Sequence, residues 1–223
     1  LHHRAGGRSR HDNTTAGIDG QRIGRRRARA AEQAAIGSTV QPYVLIVGGG
    51  QGGIGLAARL KRLDVPTLVI DRHPRPGDAW RGRYKSLCLH DPVWYDHMPY
   101  LPFPAHWPIY TPKDKLGDWL EMYTRVMELD YWGSTTCRSA SYAAGSWTVA
   151  AECRGTPVTL RPSHLVLATG MSGVPNQPRI PGMARFRGAQ HHSSRHPGAE
   201  GYAFLAELVG CWRPWQSWMV APR

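Results

Sequence analysis

Three glycines and one carboxylate have the spacing of a phosphate-binding turn. Gly48, Gly50 and Gly53 form a G-x-G-x-x-G string directly after an apolar run, and Asp71 follows the next apolar run. In such a turn the first glycine permits a tight bend, the second lets the backbone approach a diphosphate, and the third allows close packing of helix on strand. The amino end of the helix stabilises the phosphate charge, and the aspartate accepts hydrogen bonds from ribose hydroxyls. The pattern predicts a site for a dinucleotide that carries an adenosine ribose.

The elements that must hold this turn are those of a β-α-β unit. Residues 43–47 and 67–70 are short, β-branched apolar runs, typical of parallel strands buried on both faces. Between them the spacing predicts a helix of about three turns, with its apolar side formed by Ile54, Leu56, Ala57, Leu60 and Leu63. A glycine-rich turn that binds no nucleotide is the alternative. The order of strand, helix, strand and acid argues against it.

The rest of the chain adds a long loop, a second helix and further strands. Residues 72–112 are crowded with proline and aromatic residues, which predicts an irregular loop of functional importance. Thr111 as N-cap and Pro112 as first residue predict an amphipathic helix that ends near Asp130. Strands are predicted at residues 146–150, 158–161 and 165–168, the first two antiparallel. The predicted fold class is therefore α/β, a Rossmann-like domain with a parallel sheet and an added antiparallel β-meander.

Four segments beyond the glycine turn point to one family. They are Gly77-Asp78-x-Trp80, Leu87-x-Leu89-His90, Ala168-Thr169-Gly170, and the string that runs from Phe186 through Gly188 and His192 to His196. Together they resemble the flavin-containing monooxygenase family and its YUCCA-like relatives, over residues 43–197. Asp78 stands where the family usually has a second glycine, and His196 where it has an aromatic residue.

This resemblance decides between FAD and NAD, which the glycine turn alone leaves open. It implies that the first nucleotide fold holds FAD, that the strand ending in Ala168 passes beside the flavin, and that the segment around Trp80 lies near the isoalloxazine ring. In complete relatives NADPH reduces the flavin and oxygen is then transferred to a small-molecule substrate. The cofactor does this chemistry, so no catalytic residue is assigned.

The residues expected to bind the cofactor lie at the turn, at the second strand, in the loop and at the last strand. They are Gly48, Gly50, Gln51, Gly52, Gly53, Asp71, Arg72, Trp80, His90, Ala168, Thr169 and Gly170. The family signature is expected at Phe186, Gly188 and His192. Candidates for the wall that faces flavin and substrate are Trp80, Tyr84, Trp94 and Tyr95, and the alternative for these aromatic residues is a place in the core.

The predicted domain division has three parts. Residues 1–38 form a basic arm, expected to be disordered, and residues 39–197 form the FAD-binding domain. Residues 198–223 are an atypical, tryptophan-containing tail where a relative would continue into a strand and a second glycine turn of an NADPH-binding domain. A short closing helix is the alternative for this tail. The chain is therefore expected to lack the carboxyl-terminal half of a two-dinucleotide fold, and a catalytically inactive FAD-binding remnant is the second functional hypothesis.

The charge balance raises a third hypothesis, a basic nucleic-acid-binding protein. The formal net charge is +12, and eight of the arginines lie within the first 38 residues. No helix-turn-helix, zinc-finger spacing or interleaving of aromatic residues with arginines accompanies them, which argues against nucleic acid.

The cysteines and the hydropathy indicate the cellular compartment in which the protein is expected. Four cysteines are scattered without a C-x-x-C pair, which favours neither a disulfide framework nor a metal site and indicates a reducing, cytoplasmic compartment. No apolar run approaches the roughly 20 residues of a membrane span.

Overall fold

The computed structural model describes residues 41–171, 175–195 and 218–220. The predicted basic arm and most of the predicted tail lie outside these residues, and the predicted domain boundaries stay predictions. Among the described residues, no helix combines the length and the apolar character needed to cross a bilayer.

A four-stranded parallel sheet lies at the centre of the fold. Its strands are β1 (Val44–Val47), β2 (Thr67–Ile70), β3 (Tyr131–Trp132) and β7 (His164–Leu167), in the order β3-β2-β1-β7 across the sheet. In the register of the sheet, Val47 lies beside Ile70 on one side and beside Leu167 on the other. The carboxyl ends of these strands therefore meet at one edge, where open α/β sheets bind their ligands.

One face of the sheet is covered by helix α1 (Gln51–Arg62), which connects β1 to β2. Its Ala57 packs with Ile46 and Val69 of the strands, as the predicted crossover requires. The helix was expected to bury Leu63 as well, and this was wrong: Leu63 is the C-cap and is 71% exposed. The next residue, Asp64, has a positive φ of 57°, so the backbone leaves the helical path here and the helix ends at Arg62, one residue before Leu63.

The opposite face is covered by the antiparallel meander of β4 (Thr135–Ala143), β5 (Ser146–Cys153) and β6 (Thr156–Leu160). Tight turns join these strands at 144–145 and 154–155, where both residues of each turn have positive φ, as in a type I′ hairpin. Val149, Ala151 and Leu160 pack against Leu45, Leu68 and Ile70 of the parallel sheet. The predicted meander is confirmed, although β4 and β3 were not predicted.

The long loop and the second large helix form a separate part of the core next to α1. Within residues 72–112 the structure contains one short helix, α2 (Asp78–Arg81), and a 3₁₀ turn at Val93–Tyr95. Helix α3 (Lys113–Val126) follows, and its Leu120 packs with Ile54 of α1 and Phe103 of the loop. This packing fixes the loop between the two helices.

The predicted start of this helix was wrong. The N-cap is Pro112, without a side-chain hydrogen bond, and Thr111 lies one residue before it. Thr111 is fully buried, and its hydroxyl has no hydrogen-bond partner within the described part of the chain. Its backbone carbonyl accepts a hydrogen bond from the N–H of Leu89, so the loop turns Thr111 inward instead of toward the helix end. The helix ends at Val126, earlier than the expected Asp130.

The last described strands are β8 (Gln190–His192) and β9 (Trp218–Val220), which pair antiparallel, with His192 beside Trp218. No strand was predicted in residues 198–223, so β9 is a departure from the sequence-based expectation. The strand is defined by its pairing with β8, and the local sequence pattern does not indicate it.

Candidate dinucleotide-binding site

Two glycines of the G-x-G-x-x-G turn are required by packing. Gly48 has a φ of +115°, and a Cβ on it would overlap the carbonyl group of Ala168 at the end of β7. A Cβ on Gly53 would overlap the carbonyl oxygen of Gly48. The turn is therefore compressed between β1, α1 and β7, as the predicted roles of the first and third glycines require.

Gly50 and Gly52 leave an open space. A Cβ at Gly50 or at Gly52 would meet no atom within 4 Å. Gly50 is the N-cap of α1, with no side-chain cap in the described residues and no acid in the first turn. No side chain therefore projects from Gly50 or Gly52 at the amino end of the helix, where the first amides and the positive end of the dipole suit an anion such as a diphosphate.

Asp71 lies at the end of β2 and is tied to the turn. Its Oδ2 accepts a hydrogen bond from the N–H of Gly49 at 2.6 Å, and its Oδ1 accepts one from the N–H of His73 at 2.7 Å. The ring Nδ1 of His73 also lies 2.7 Å from Oδ1. The side chain is only 10% exposed. A carboxylate has about four lone-pair sites, so these contacts leave capacity for a ribose hydroxyl.

Tyr131 belongs to this site and was not predicted. A Cβ on Gly49 would overlap its ring, so the ring packs directly on the glycine turn. Burial raises the pKa of the Tyr131 hydroxyl, and the nearby charges of Asp71 and Asp78 raise it further. The usable signal in the sequence was that Tyr131 follows the second large helix, where the next parallel strand of an α/β fold belongs.

Trp80 and Gln51, both expected to bind the cofactor, are joined by a hydrogen bond. The indole Nε1 of Trp80 donates to Oε1 of Gln51 at 3.0 Å, and the guanidinium of Arg83 lies over the indole at 4.4 Å from the ring centroid. Gln51 is the first residue of α1. The loop that contains Trp80 therefore reaches the amino end of α1, the helix that follows the glycine turn in the sequence.

Asp78 replaces the family's second glycine without disrupting this loop. The preceding Gly77 adopts the left-handed conformation with φ +86°, and Asp78 begins α2. The carboxylate of Asp78 accepts hydrogen bonds from the N–H of Arg75 at 3.1 Å and from Nη1 of Arg81 at 2.8 Å. Burial by itself would raise the pKa of Asp78, but the hydrogen bond from Arg81 and the charge of Arg75 outweigh it, so the pKa is lowered. The charged Asp78 side chain thus joins Arg75 to Arg81 within the loop.

The end of β7 lies beside the turn, as expected. The N–H of Ala168 donates to the carbonyl of Val47 at 2.8 Å, and the Ala168 carbonyl lies against Gly48. Thr169 and Gly170 are exposed, and Gly170 has a positive φ of 79°. Ala168 and the backbone nitrogen of Thr169 therefore lie next to Gly48 of the turn.

Other predicted residues lie farther from the turn or are simply exposed. His90 is 86% exposed and lies 3.5 Å from its neighbour Asp91; within the described residues, no hydrogen bond or ion pair joins it to the glycine turn. The side chain of Arg72 is exposed. Trp94 is 53% exposed and Tyr95 79%, so the core alternative is wrong for both.

The signature residues Phe186, Gly188 and His192 lie in the segment 175–195. Phe186 is 38% exposed, and His192 belongs to β8 with its Nδ1 2.8 Å from Oγ of Ser194. In the described segments, no group of three histidine, cysteine or acidic side chains has the arrangement of a metal site.

Comparison with known proteins shows which proteins this chain resembles. A model of the NAD(P)-binding Rossmann-like domain matches residues 46–106, which include the glycine turn, Asp71 and Trp80. The indole-3-pyruvate monooxygenase YUCCA1 of Oryza sativa subsp. japonica is 35% identical over 174 residues, which are 76% of this chain and 42% of that protein. YUCCA4 of the same organism is 34% identical over 209 residues, covering 83% of this chain and 48% of the relative.

The same relationship appears in three dimensions. The flavin-containing monooxygenase from Stenotrophomonas maltophilia superimposes with a TM-score of 0.62 at 25% identity, over 70% of this chain and 46% of that one. The homologues of this chain are flavin-dependent monooxygenases. The chain spans less than half the length of these relatives.

The glycine motif has two kinds of position in this structure. Gly48 and Gly53 are fixed by contacts inside the protein, whereas Gly50 and Gly52 face open space. The comparisons confirm the predicted resemblance to flavin monooxygenases, and the sheets confirm the predicted Rossmann-like fold with its added meander.

Proposed function

We propose that this chain binds FAD and supplies the FAD-binding part of a flavin-dependent monooxygenase. The observation that carries the proposal is the open amino end of α1, where Gly50 and Gly52 leave a gap with no atom within 4 Å of either Cβ position. A gap of this kind next to helix amides and an acidic residue fits a dinucleotide diphosphate and its ribose.

In this proposal different residues bind different parts of the cofactor. The amides of the glycine turn bind the diphosphate, and Asp71 accepts hydrogen bonds from the adenosine ribose while it holds Gly49. Trp80 and the segment 168–170 lie on the flavin side, where the indole is held by Gln51. When bound, the flavin supplies the redox chemistry, with NADPH as hydride donor and oxygen as co-substrate.

The protein's own contribution is to bind, orient and shield. The helix dipole and the turn amides offset the diphosphate charge, and the exposed aromatic residues Trp94 and Tyr95 are available to line the space for a small-molecule substrate. We place the FAD-binding domain at residues 39–197 and the protein in the cytoplasm, the latter on its scattered cysteines.

Binding is tested with the purified full chain and added FAD, followed by flavin fluorescence and the visible spectrum. The wild type is expected to bind, and Gly50→Ala to weaken binding by about tenfold or more, because its new methyl group occupies the diphosphate gap. The matched control is Gly55→Ala in the same helix, where a Cβ meets Met98 and Pro99 at an ordinary 3.6 Å.

Gly55→Ala is expected to bind FAD like the wild type. A wild type with a native circular dichroism spectrum that takes up no flavin contradicts the proposal, as does equal FAD affinity of the wild type and Gly50→Ala. NADPH oxidation and oxygen uptake by the same sample separate cofactor binding from turnover.

A further inference from the structure

The short helix α2 is held against α3 by a close backbone contact. A Cβ on Gly77, the N-cap of α2, would overlap the carbonyl group of Gly117 in α3. A Cβ on Gly117 would in turn approach Cγ of Arg81 to 2.8 Å. The two glycines let the loop lie directly on the helix, and this contact brings Arg81 over the surface of α3.

Arg81 joins α2 to α3 through two carboxylates of α3, and a third carboxylate, in α2 itself, also pairs with it. Its Nη1 lies 2.8 Å from Asp78 of the loop, and its Nη2 lies 2.9 Å from both Asp118 and Glu121 of α3. The Arg81 side chain is only 15% exposed. Hydrogen bonds between a guanidinium and carboxylates are about twice as strong as neutral ones, and a planar fork can serve several acceptors at once. Together with the Gly77–Gly117 contact and the hydrogen bond from Lys113 Nζ to the Arg81 carbonyl, the Arg81 side chain therefore fixes the orientation of α2 on α3.

The residue before Arg81 faces the other helix. Trp80 donates its indole Nε1 hydrogen to Oε1 of Gln51, the first residue of α1. Consecutive residues of α2 thus contact α3 on one side and the amino end of α1 on the other. If α2 were to rotate, Trp80 would lose its acceptor on Gln51.

We propose that Arg81 is a positioning residue of the cofactor site. By fixing α2 on α3, it holds the Trp80 indole on Gln51 and so sets the flavin side of the glycine turn. This inference rests on the proposed binding of FAD. Arg81 itself has no part in cofactor contact: it acts through Trp80.

The test compares Arg81→Met with Arg125→Met. Arg125→Met is the matched control because it also removes one positive charge and one contact to Glu121, at 2.8 Å. Arg125 is 77% exposed and, among the residues that the structure describes, pairs with Glu121 alone. Arg81→Lys keeps the charge without the fork, and Asp118→Asn removes one partner, 75% exposed, with little risk to folding. The readouts are FAD affinity, visible circular dichroism of bound flavin, and the Trp80 indole N–H signal in ¹⁵N NMR without FAD.

Arg81→Met is expected to weaken FAD binding by about tenfold, to change the flavin dichroism and to shift the Trp80 signal, because supporting residues fix the geometry of a site. Arg81→Lys and Asp118→Asn are expected to show smaller effects in the same direction, and Arg125→Met none. If Arg81→Met fails to fold, Asp118→Asn decides by the same readouts.

An unchanged Trp80 signal in a folded Arg81→Met protein, or equal FAD affinity of Arg81→Met and Arg125→Met, overturns the inference. If the wild type binds no flavin, the proposed function fails. The Trp80 signal of the FAD-free protein still shows whether Arg81 positions the indole.

Discussion

The carboxylate of Asp71 accepts a hydrogen bond from the backbone N–H of Gly49 at 2.6 Å, which joins the end of β2 to the glycine turn after β1. The second oxygen of the same carboxylate holds the N–H of His73. Asp71 is therefore both a structural support of the turn and, in the proposed function, a ligand for the ribose. The two roles can be separated by measuring stability without cofactor and affinity with it.

Asp71→Asn is expected to lower the free energy of unfolding of the cofactor-free protein by about 1–3 kcal/mol, because the amides that donate to a charged carboxylate then face a neutral side chain. It is also expected to weaken FAD binding by about tenfold or more, since a ribose hydroxyl loses its anionic acceptor. Urea denaturation and a flavin titration measure the two effects. The control is Glu128→Gln, which also removes one carboxylate; this side chain is 84% exposed and lies 3.9 Å from Lys61 at the surface, so both quantities should change little. Equal behaviour of the two variants would refute both roles.

Gly53→Ala is expected to destabilise the protein by about 1–3 kcal/mol or more, because the new methyl group must displace the Gly48 carbonyl inside the turn. Gly55→Ala, two residues further along α1, is expected to stabilise it by up to about 1 kcal/mol through helix propensity. Chemical denaturation of both proteins without FAD gives the comparison. A Gly53→Ala protein as stable as Gly55→Ala would show that the turn is not compressed.

Tyr123→Phe tests a buried hydroxyl at alkaline pH. Tyr123 is fully buried and its hydroxyl donates to the carbonyl of Pro99 at 2.6 Å. Burial raises the pKa of Tyr123 from 10.0 to about 12. Folding thus favours the protonated hydroxyl, and its contribution to stability is complete below pH 10 and is lost as pH rises toward about 12.

At neutral pH, Tyr123→Phe is expected to cost about 1 kcal/mol, because the Pro99 carbonyl loses its donor. Above pH 10 the stability difference between the two proteins should shrink, since only the wild type has this hydroxyl to ionise. Urea denaturation at several pH values measures the difference. A difference that stays constant from neutral to strongly alkaline pH would argue against a buried, protonated Tyr123.

Thr111→Val separates two interpretations of the start of α3. A threonine N-cap would lose about 1 kcal/mol on this substitution. Because the Thr111 hydroxyl is buried with no partner among the described residues, replacing it by a methyl group of the same shape is expected to be neutral or stabilising by up to about 1 kcal/mol. Thermal or urea unfolding decides, and a clear loss of stability would restore the N-cap interpretation.

Local patterns were sufficient for the β-α-β unit and insufficient where tertiary contacts decide. The runs around the glycine turn have the periodicity of their elements, so β1, α1 and β2 were predictable. Thr111 has the residue type of a cap, but the loop pairing with Leu89 turns it inward. Strand β4 was missed because most of its residues, 138–143, are exposed and show no apolar alternation.

The contacts of the candidate site that were missed join residues far apart in the sequence. Tyr131 lies in a strand of two residues, which is defined only by its pairing with β2. The bond from Trp80 to Gln51 and the ion pairs of Arg81 with α3 depend on how loop and helices pack together. The family resemblance pointed to Trp80 and the glycine turn to Gln51, while nothing in the local pattern indicated Arg81.

The place of β7 beside β1 has a consequence for biogenesis. The Ala168 carbonyl, directly after β7, packs against Gly48, yet β7 is the last strand of the central sheet to be synthesised. A nascent chain that has released only β1, α1 and β2 from the ribosome has the glycine motif without its support, and pairings between distant segments form slowly. Cofactor capture during translation should therefore begin only after the segment around Ala168 has emerged.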